Sequence, residues 1–309
     1  MNFSDLAPNL PSLPASGYCA LPHLGVIAAR GEDAASFLHN QLTQDFLLLD
    51  DQHARLAAFC NAKGRMQTSM VGFKTSPHEV LLVISADLLA QTLKRLSMFV
   101  LRAKVTLTDE STHWQVLGGF GSSPLAVTPW TLTRQGSAWQ VTLYPAAGVA
   151  RHLCVLPAQE ALANAHGDLQ DWLLGEVLSG VADVQAATYE AFVPQMLNYE
   201  SVDGVNFKKG CYPGQEVVAR SQFRGILKRR TYLMSSPVTL QAGVDIFSNS
   251  DSSQPAGLVA QAVSHTQHGH WALVCLQTAA KQADSLYPAG SPEIKLRLHP
   301  LPYTLREDI

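Results

Sequence analysis

Strands clustered around a few separate helices predict an α+β fold for this chain of 309 residues. Helical and strand-like periodicities alternate irregularly, without the regular strand–helix–strand units of a parallel sheet. Beyond Lys228 the segments become short strands broken by Gly, Pro, Ser and Asn, a pattern that fits a small all-β barrel of about 75 residues. The length allows two or three domains. Hydrophobic content of 47% against 15% charged fits a globular protein with ample core. Residues 1–16, rich in Pro, Ser and Asn, read as a loose tail, residues 17–235 as the α+β region and residues 236–309 as the barrel.

Residues 23–29 read as a strand. Residues 32–46 read as a helix, with Phe37, Leu38, Gln41 and Leu42 at helical spacing. Strands are expected at 55–61, 65–73 and 80–85, separated by turn residues. Residues 86–100 form an amphipathic helix with Leu89, Leu93, Leu96 and Val100 on one face. Strands follow at 104–108, 113–119, 138–144 and 152–156, then helices at 159–165 and 169–179. The short strands of the last part fall at 230–235, 257–263, 270–276 and 293–299. No internal repeat or low-complexity tract interrupts the chain.

A net charge of −3 gives no global attraction to nucleic acid or to an anionic membrane. The best apolar run, residues 80–84, is strand-sized and too short to span a bilayer. No basic n-region precedes an apolar core at the N-terminus, so no secretory signal is read. Five widely spaced cysteines, Cys19, Cys60, Cys154, Cys211 and Cys275, are odd in number and contain no CxxC pair, and they support neither a disulfide framework nor a complete zinc site. A reducing cytoplasm is the expected compartment. Cys60, Cys154 and Cys275 lie in apolar runs and read as small core residues.

Cys211 differs. It follows Lys208, Lys209 and Gly210 and precedes Tyr212, Pro213, Gly214, Gln215 and Glu216. The thiolate is the reactive form of cysteine, and cations or a helix N-terminus favour it. The two lysines supply cations, and residues 215–221 can open a helix after a Pro-Gly turn. Gly210 and Gly214 permit positive φ and close approach of a ligand. The bland alternative is a loop cysteine between solvated lysines. The coincidence of glycines, charge and turn favours a reactive thiol.

Residues 206–230 carry Lys208, Lys209, Arg220, Arg224, Lys228, Arg229 and Arg230 against the single acid Glu216. That segment is +6, so the rest of the chain is −9. Charge runs are usually solvated faces; the alternative is a site for an anionic ligand around Cys211. The interleaved aromatics Phe207, Tyr212 and Phe223 are too few for a nucleic-acid stacking platform.

These motifs carry a resemblance. Phe192-Val-Pro-Gln-Met-Leu-Asn198, then Asn206-Phe-Lys-Lys-Gly-Cys-Tyr-Pro-Gly-Gln-Glu216 and Val218-Ala-Arg220, resemble the signature of the YgfZ family. These are folate-binding proteins related to the aminomethyltransferase of the glycine cleavage system. Gly31-Glu-Asp-Ala34 to Gln41-Leu-Thr43, Asn61-Ala-Lys-Gly64 and the final Pro300-Leu-Pro-Tyr303 match in the same order. The resemblance implies an aminomethyltransferase-like ring, two α+β parts closed by a C-terminal β-barrel, with tetrahydrofolate in the central cavity. It implies a role in assembly, maintenance or repair of iron–sulfur clusters, including those of radical enzymes that modify tRNA. Iron–sulfur client proteins or cluster carriers are then the partners, with no direct nucleic acid and no membrane. The family's essential cysteine corresponds to Cys211. Lys208, Lys209, Gly210, Tyr212, Gly214, Gln215, Glu216, Arg220 and Trp172 are the cofactor-binding candidates, and no metal ligand is expected.

The chain departs from its relatives at several places. Thr68 and Ser69 stand where the aminomethyltransferases carry an Asp-Asp pair. A neutral hydroxyl replaces a carboxylate neither in stabilising an iminium-like cation nor in taking a proton near neutral pH. Leu24 replaces one of two site tryptophans, the other matching Trp172. Leu178 replaces a pterin-gripping glutamate. Glu176, two residues away, would face elsewhere on a helix. Trp172 reads either as a ligand residue or as a core residue of an amphipathic helix. Folate binding, if retained, is expected to be weak and selective for polyglutamates. The competing readings are a folate-dependent aminomethyl transferase, against which Thr68 and Ser69 argue, and a folate sensor that performs no chemistry. A cysteine hydrolase is a weak fourth, since no His or Asn motif accompanies Cys211.

Overall fold

A computed structural model describes residues 10–121, 127–160, 167–223 and 227–306. The chain opens with β1 (Gly17–Ala20), β2 (Leu24–Arg30), helix α1 (Ala34–Gln41), β3 (Arg55–Cys60), β4 (Met66–Ser76), β5 (Glu79–Ser85), α2 (Ala86–Ser97) and β6 (Thr106–Asp109). It continues with β7 (Trp114–Phe120), β8 (Leu132–Gln135), β9 (Ala138–Thr142), β10 (Arg151–Pro157), α3 (Leu169–Leu178) and α4 (Gln215–Phe223). The last part holds β11 (Arg229–Ser236), β12 (Asp245–Ser248), β13 (Gly257–His265), β14 (Gly269–Gln277), β15 (Leu286–Pro288) and β16 (Arg297–His299).

Three antiparallel sheets result, ordered β3-β4-β5-β2-β6, β1-β7-β10-β9-β8 and β15-β12-β13-β14-β11-β16. Strand periodicity explains how they meet, because alternate residues face opposite sides. On β2, Ile27 and Ala29 pack with Phe37 and Leu38 of α1, Leu82 and Ile84 of β5, and Leu89 and Leu96 of α2. Val26 and Ala28 face the other way. There they join Leu81 and Val83, Val141, Leu153 and Val155 of the second sheet, Trp172 of α3, and Leu273 and Cys275 of the third. The main core therefore lies where the three sheets converge. The fold is α+β, as the pattern of elements predicted.

Several expectations are corrected. The helix expected over 32–46 stops at Gln41, and Leu42 is extended with φ −111° and ψ 161°. The chain is pulled out of the helix because the Thr43 hydroxyl donates to Gly204 O at 2.7 Å and accepts from the Ala58 amide at 2.8 Å. A closed barrel is not seen: β15 and β16 end the third sheet unpaired with each other. The strand expected over 293–299 shrinks to Arg297–His299, which is too short to bridge the gap. Strands β1, β8, β12 and β15 have only three or four residues and carry too little alternation to read. Most of the helix expected over 159–165 lies outside the described residues. Part of the expected tail is anchored, with Leu13 buried in the main core. No described helix is long and apolar enough to cross a membrane.

Candidate functional site

Cys211 sits in the loop that leads into α4, and it is exposed, whereas Cys19, Cys60, Cys154 and Cys275 are buried. Burial pushes the Cys19 and Cys154 thiols up to about 11 and that of Cys275 to about 12, and raises Cys60 further still. Thiolate formation near neutral pH is closed to all four.

The loop is shaped by contacts made far away in sequence. Lys209 is buried, and its Nζ donates to the carbonyls of His39 and, at 2.6 Å, Leu42. It thus caps the C-terminus of α1, where carbonyls lack intrahelical donors and the helix dipole favours a cation. Burial lowers its pKa to about 8, opposed by Asp45. The two carbonyls and the Tyr212 ring, 4.8 Å from Nζ, hold the ammonium form at neutral pH. Lys208 is exposed. Of the two lysines read as activators of the thiol, Lys209 is therefore also a clamp, and its charge still interacts with Cys211.

Gly214 has φ +80°, and a Cβ there would lie 2.4 Å from Asn61 O. Gly64 in the turn between β3 and β4 touches the same backbone. The Asn61–Gly64 motif and the cysteine loop are two halves of one contact. Tyr212 is buried beneath Lys209, and Gln215 Nε2 reaches Gly210 O at 3.4 Å. Glu216 and Arg220 pair with each other on the open face of α4. Arg224 lies outside the described residues.

His39 was missed in the sequence, being one of eleven scattered histidines. It is buried on α1, its Nδ1 is 3.0 Å from Asp45 Oδ1, and its Nε2 lies 3.4 Å from where a Cβ of Gly210 would be. Asp45 Oδ1 also accepts the Leu47 and Leu48 amides, which with His39 hold its carboxyl below the usual range despite burial.

A separate central cavity of about 60 Å³ is lined by Leu24, Trp130, Tyr144, Arg151, Trp172, Glu176 and Asp183 among others. Of the cofactor-binding candidates, Trp172 alone is in its wall; the residues of the cysteine loop are not. Trp172 is fully buried, with the Arg151 guanidinium 4.3 Å from its ring and Gly118 against it. Glu176 does face the cavity, contrary to the expectation from its spacing to Leu178. It stands one helical turn from Trp172 and accepts from the indole Nε1 at 2.7 Å. Gln261 of the third sheet donates to its other oxygen at 3.1 Å, and His23 Nε2 is 3.2 Å away. Burial works against charge on His23, but the bond and charge of Glu176 hold its pKa above the ordinary value. Leu178 is core.

Ser69 and Thr68 are buried on β4, and Ser69 Oγ donates to Asp183 Oδ1 at 3.2 Å. Burial, then the charge of Glu176, raises the Asp183 pKa to about 6. A carboxyl from a different segment thus stands beside the position where the sequence lacks one. Arg151 is 2% exposed, and its Nε and Nη2 have no hydrogen-bond partner. Burial lowers its pKa to about 10, against the pull of Glu176 and Asp183. Among the described residues no group of three or more His, Cys, Asp or Glu is placed to hold a metal ion.

The geometry can be set beside known proteins. No family model matches the chain. It is 29% identical to the tRNA-modifying protein YgfZ of Photobacterium profundum, over 95% of the chain and 93% of that protein. It is 28% identical to the tRNA-modifying protein YgfZ of Shigella sonnei, over 99% and 100%. The chain is a homologue of the YgfZ proteins. An uncharacterized protein of Haemophilus influenzae is 27% identical over 74% of the chain and 77% of its own length. The fold is that of the glycine cleavage system aminomethyltransferase T of Bartonella henselae, with a TM-score of 0.65 over 94% of this chain and 87% of that one at 16% identity. The resemblance read from the Cys211, Asn61–Gly64 and Pro300–Tyr303 motifs is borne out along nearly the whole length.

Proposed function

We propose that this protein supports tRNA-modifying iron–sulfur enzymes by maintaining or repairing their clusters, with Cys211 as the working group. The observation that carries this reading is the exposure of Cys211 alone among five thiols, on a loop tied to the end of α1 by Lys209 and packed against Asn61 and Gly64 at Gly214. A thiolate is the form that ligates iron or exchanges with another sulfur. The names of the relatives supply the connection to tRNA modification, and the iron–sulfur connection comes from the family resemblance. The test is a deletion strain carrying either the parent gene or a Cys211→Ser copy, with the activities of several iron–sulfur enzymes read out. The parent restores them and the variant does not. Full restoration by Cys211→Ser would sink the proposal.

Folate is the ligand the resemblance brings to the central cavity. The polar groups suit it: the unpartnered Nε and Nη2 of Arg151 are donors for a pterin carbonyl, and Glu176 and Asp183 are acceptors for its amide and amine. The volume does not. A cavity of about 150 Å³ holds a benzene ring, and this one is about 60 Å³. Entry of a two-ring pterin therefore requires side chains such as Leu24 and Tyr144 to move apart, which favours weak binding. Titration with tetrahydrofolate, followed by tryptophan fluorescence, should show binding that Glu176→Gln weakens about tenfold or more. Tight binding indifferent to Glu176→Gln would refute this placement.

Asp183 keeps a second reading alive, that of a one-carbon transferase whose carboxylate comes from Asp183 in place of the missing pair. Incubation with an aminomethylated carrier protein and tetrahydrofolate decides between them. The account expects no methylene-tetrahydrofolate above background. Saturable turnover abolished by Asp183→Asn would establish the transferase.

A further inference from the structure

The sequence places no histidine beside Cys211, but the fold does. His39 lies in the last turn of α1 and is 7% exposed. Its Nδ1 is 3.0 Å from Asp45 Oδ1, and that oxygen also accepts the Leu47 amide at 2.9 Å and the Leu48 amide at 3.0 Å. A carboxylate fixed in this way sets the tautomer of the ring: Nδ1 carries the hydrogen and Nε2 keeps its lone pair. Among the described residues Nε2 has no hydrogen-bond partner. It faces the cysteine loop, where a Cβ on Gly210 would lie 3.4 Å from Nε2 and, the adjoining residues aside, within 4 Å of nothing else. The glycine thus leaves a gap between ring and loop, one residue before the exposed Cys211. The Lys209 charge acts on both Asp45 and Cys211. An imidazole, a carboxylate, an ammonium and a thiol from separate segments therefore gather at the end of α1.

We propose that His39 is the proton carrier of Cys211. Nε2 takes the thiol proton across the gap at Gly210 while Asp45 holds the ring. The inference rests on Cys211 being the working group and adds how its thiolate is made. A base oriented by a third group is the general arrangement that activates a nucleophile, and such contacts often tighten only when substrate binds. Cys211 is exposed, so its side chain exchanges rotamers on the picosecond to nanosecond timescale. Lys209 is not the carrier, because two carbonyls and the Tyr212 ring hold its ammonium. In the step, the S–H bond breaks, its electron pair stays on sulfur, and the proton moves to Nε2. The Nδ1 hydrogen stays with the ring, and the imidazolium lies against the Asp45 carboxylate. The thiolate then attacks the divalent sulfur of a disulfide or persulfide. One S–S bond forms as another breaks, and the departing thiolate takes the proton back from Nε2. No outside oxidant or reductant is needed.

The pH profile of Cys211 alkylation by iodoacetamide tests this on the full chain, followed by peptide mapping. His39→Gln should slow the reaction at pH 7 by about tenfold or more, because the thiolate loses its proton acceptor. At pH 10, where nearly every exposed thiol is ionised, variant and parent should react alike. A loop merely loosened by the substitution would react differently at both pH values. Asp45→Asn keeps an oxygen for the Leu47 and Leu48 amides but removes the charge facing the ring, and should slow the pH 7 reaction by about threefold or more. Gly210→Ala places a methyl group in the gap at an ordinary contact distance from Nε2. It should fold and should also slow the pH 7 reaction, so it decides the matter even if His39→Gln fails to fold. An unchanged pH 7 rate in His39→Gln or in Gly210→Ala would overturn the inference, and so would a loss of equal size at pH 10. The readout involves no client protein. Its failure leaves the role of Cys211 to the Cys211→Ser deletion test, and failure of that test leaves the alkylation profile standing.

Discussion

Asp183 lies where burial and the nearby Glu176 charge both oppose ionisation, and its pKa rises to about 6 from an ordinary 3.8. Between these values the folded chain keeps a proton that the unfolded chain has released. Stability from this group is therefore full below about pH 4 and is lost as pH rises through about 6. A shift of two units corresponds to about 3 kcal/mol. Asp183→Asn, which mimics the protonated form, should match the parent near pH 4 and exceed it by about 2 kcal/mol at pH 7. Urea melts at the two pH values check this, and a variant less stable than the parent at pH 7 would contradict it. The same cavity shows the reach of residue-level reading. Trp172 was legible as a ligand residue or a core residue; it is fully buried in the core and also lines the cavity. Glu176 was misjudged because its spacing was measured from Leu178 and not from Trp172, the residue one turn away that it grips.

The element that positions the thiol is the loop between the short turns after Asn198 and helix α4. Gly214→Ala places a Cβ against Asn61 O in a left-handed conformation, a change that should cost about 1–3 kcal/mol. Lys209→Met removes the donor to the carbonyls of His39 and Leu42, and leaving buried acceptors unpaired costs about 1–3 kcal/mol. Hydrogen exchange of residues 39–45 should accelerate in this variant; unchanged exchange would show that the clamp is not needed. Helix α4 and the exposed loop that carries Cys211 were legible because their signals are local. The roles of Lys208 and Lys209 were not, because which of two adjacent lysines turns inward depends on the end of α1, some 170 residues earlier. The early stop of α1 was hidden for the same reason.

Across the whole molecule, the third sheet is joined to the rest by buried polar contacts. Arg230 on β11 binds Glu200 Oε1 at 2.6 Å and Arg306 O at 2.8 Å. Tyr303 Oη donates to Gly180 O at 2.7 Å and accepts from Asn198 at 3.2 Å. This explains why the Phe192–Asn198 and Pro300–Tyr303 motifs occur together: they meet. Arg230→Ala strands the Glu200 carboxylate in the interior and should destabilise by about 3–5 kcal/mol, read from a thermal melt. The α+β class was legible from alternation in the long strands. Sheet closure was not, since β15 and β16 hold three residues each and their pairing is set by neighbours distant in sequence. The central claim, that the fold offers one thiol and withholds four, is tested most directly by alkylating the folded protein at neutral pH under limiting reagent and mapping each cysteine by mass spectrometry. The account predicts that Cys211 is labelled before Cys19, Cys60, Cys154 or Cys275 by about a hundredfold or more. Comparable labelling of any of those four while the protein remains folded would contradict it.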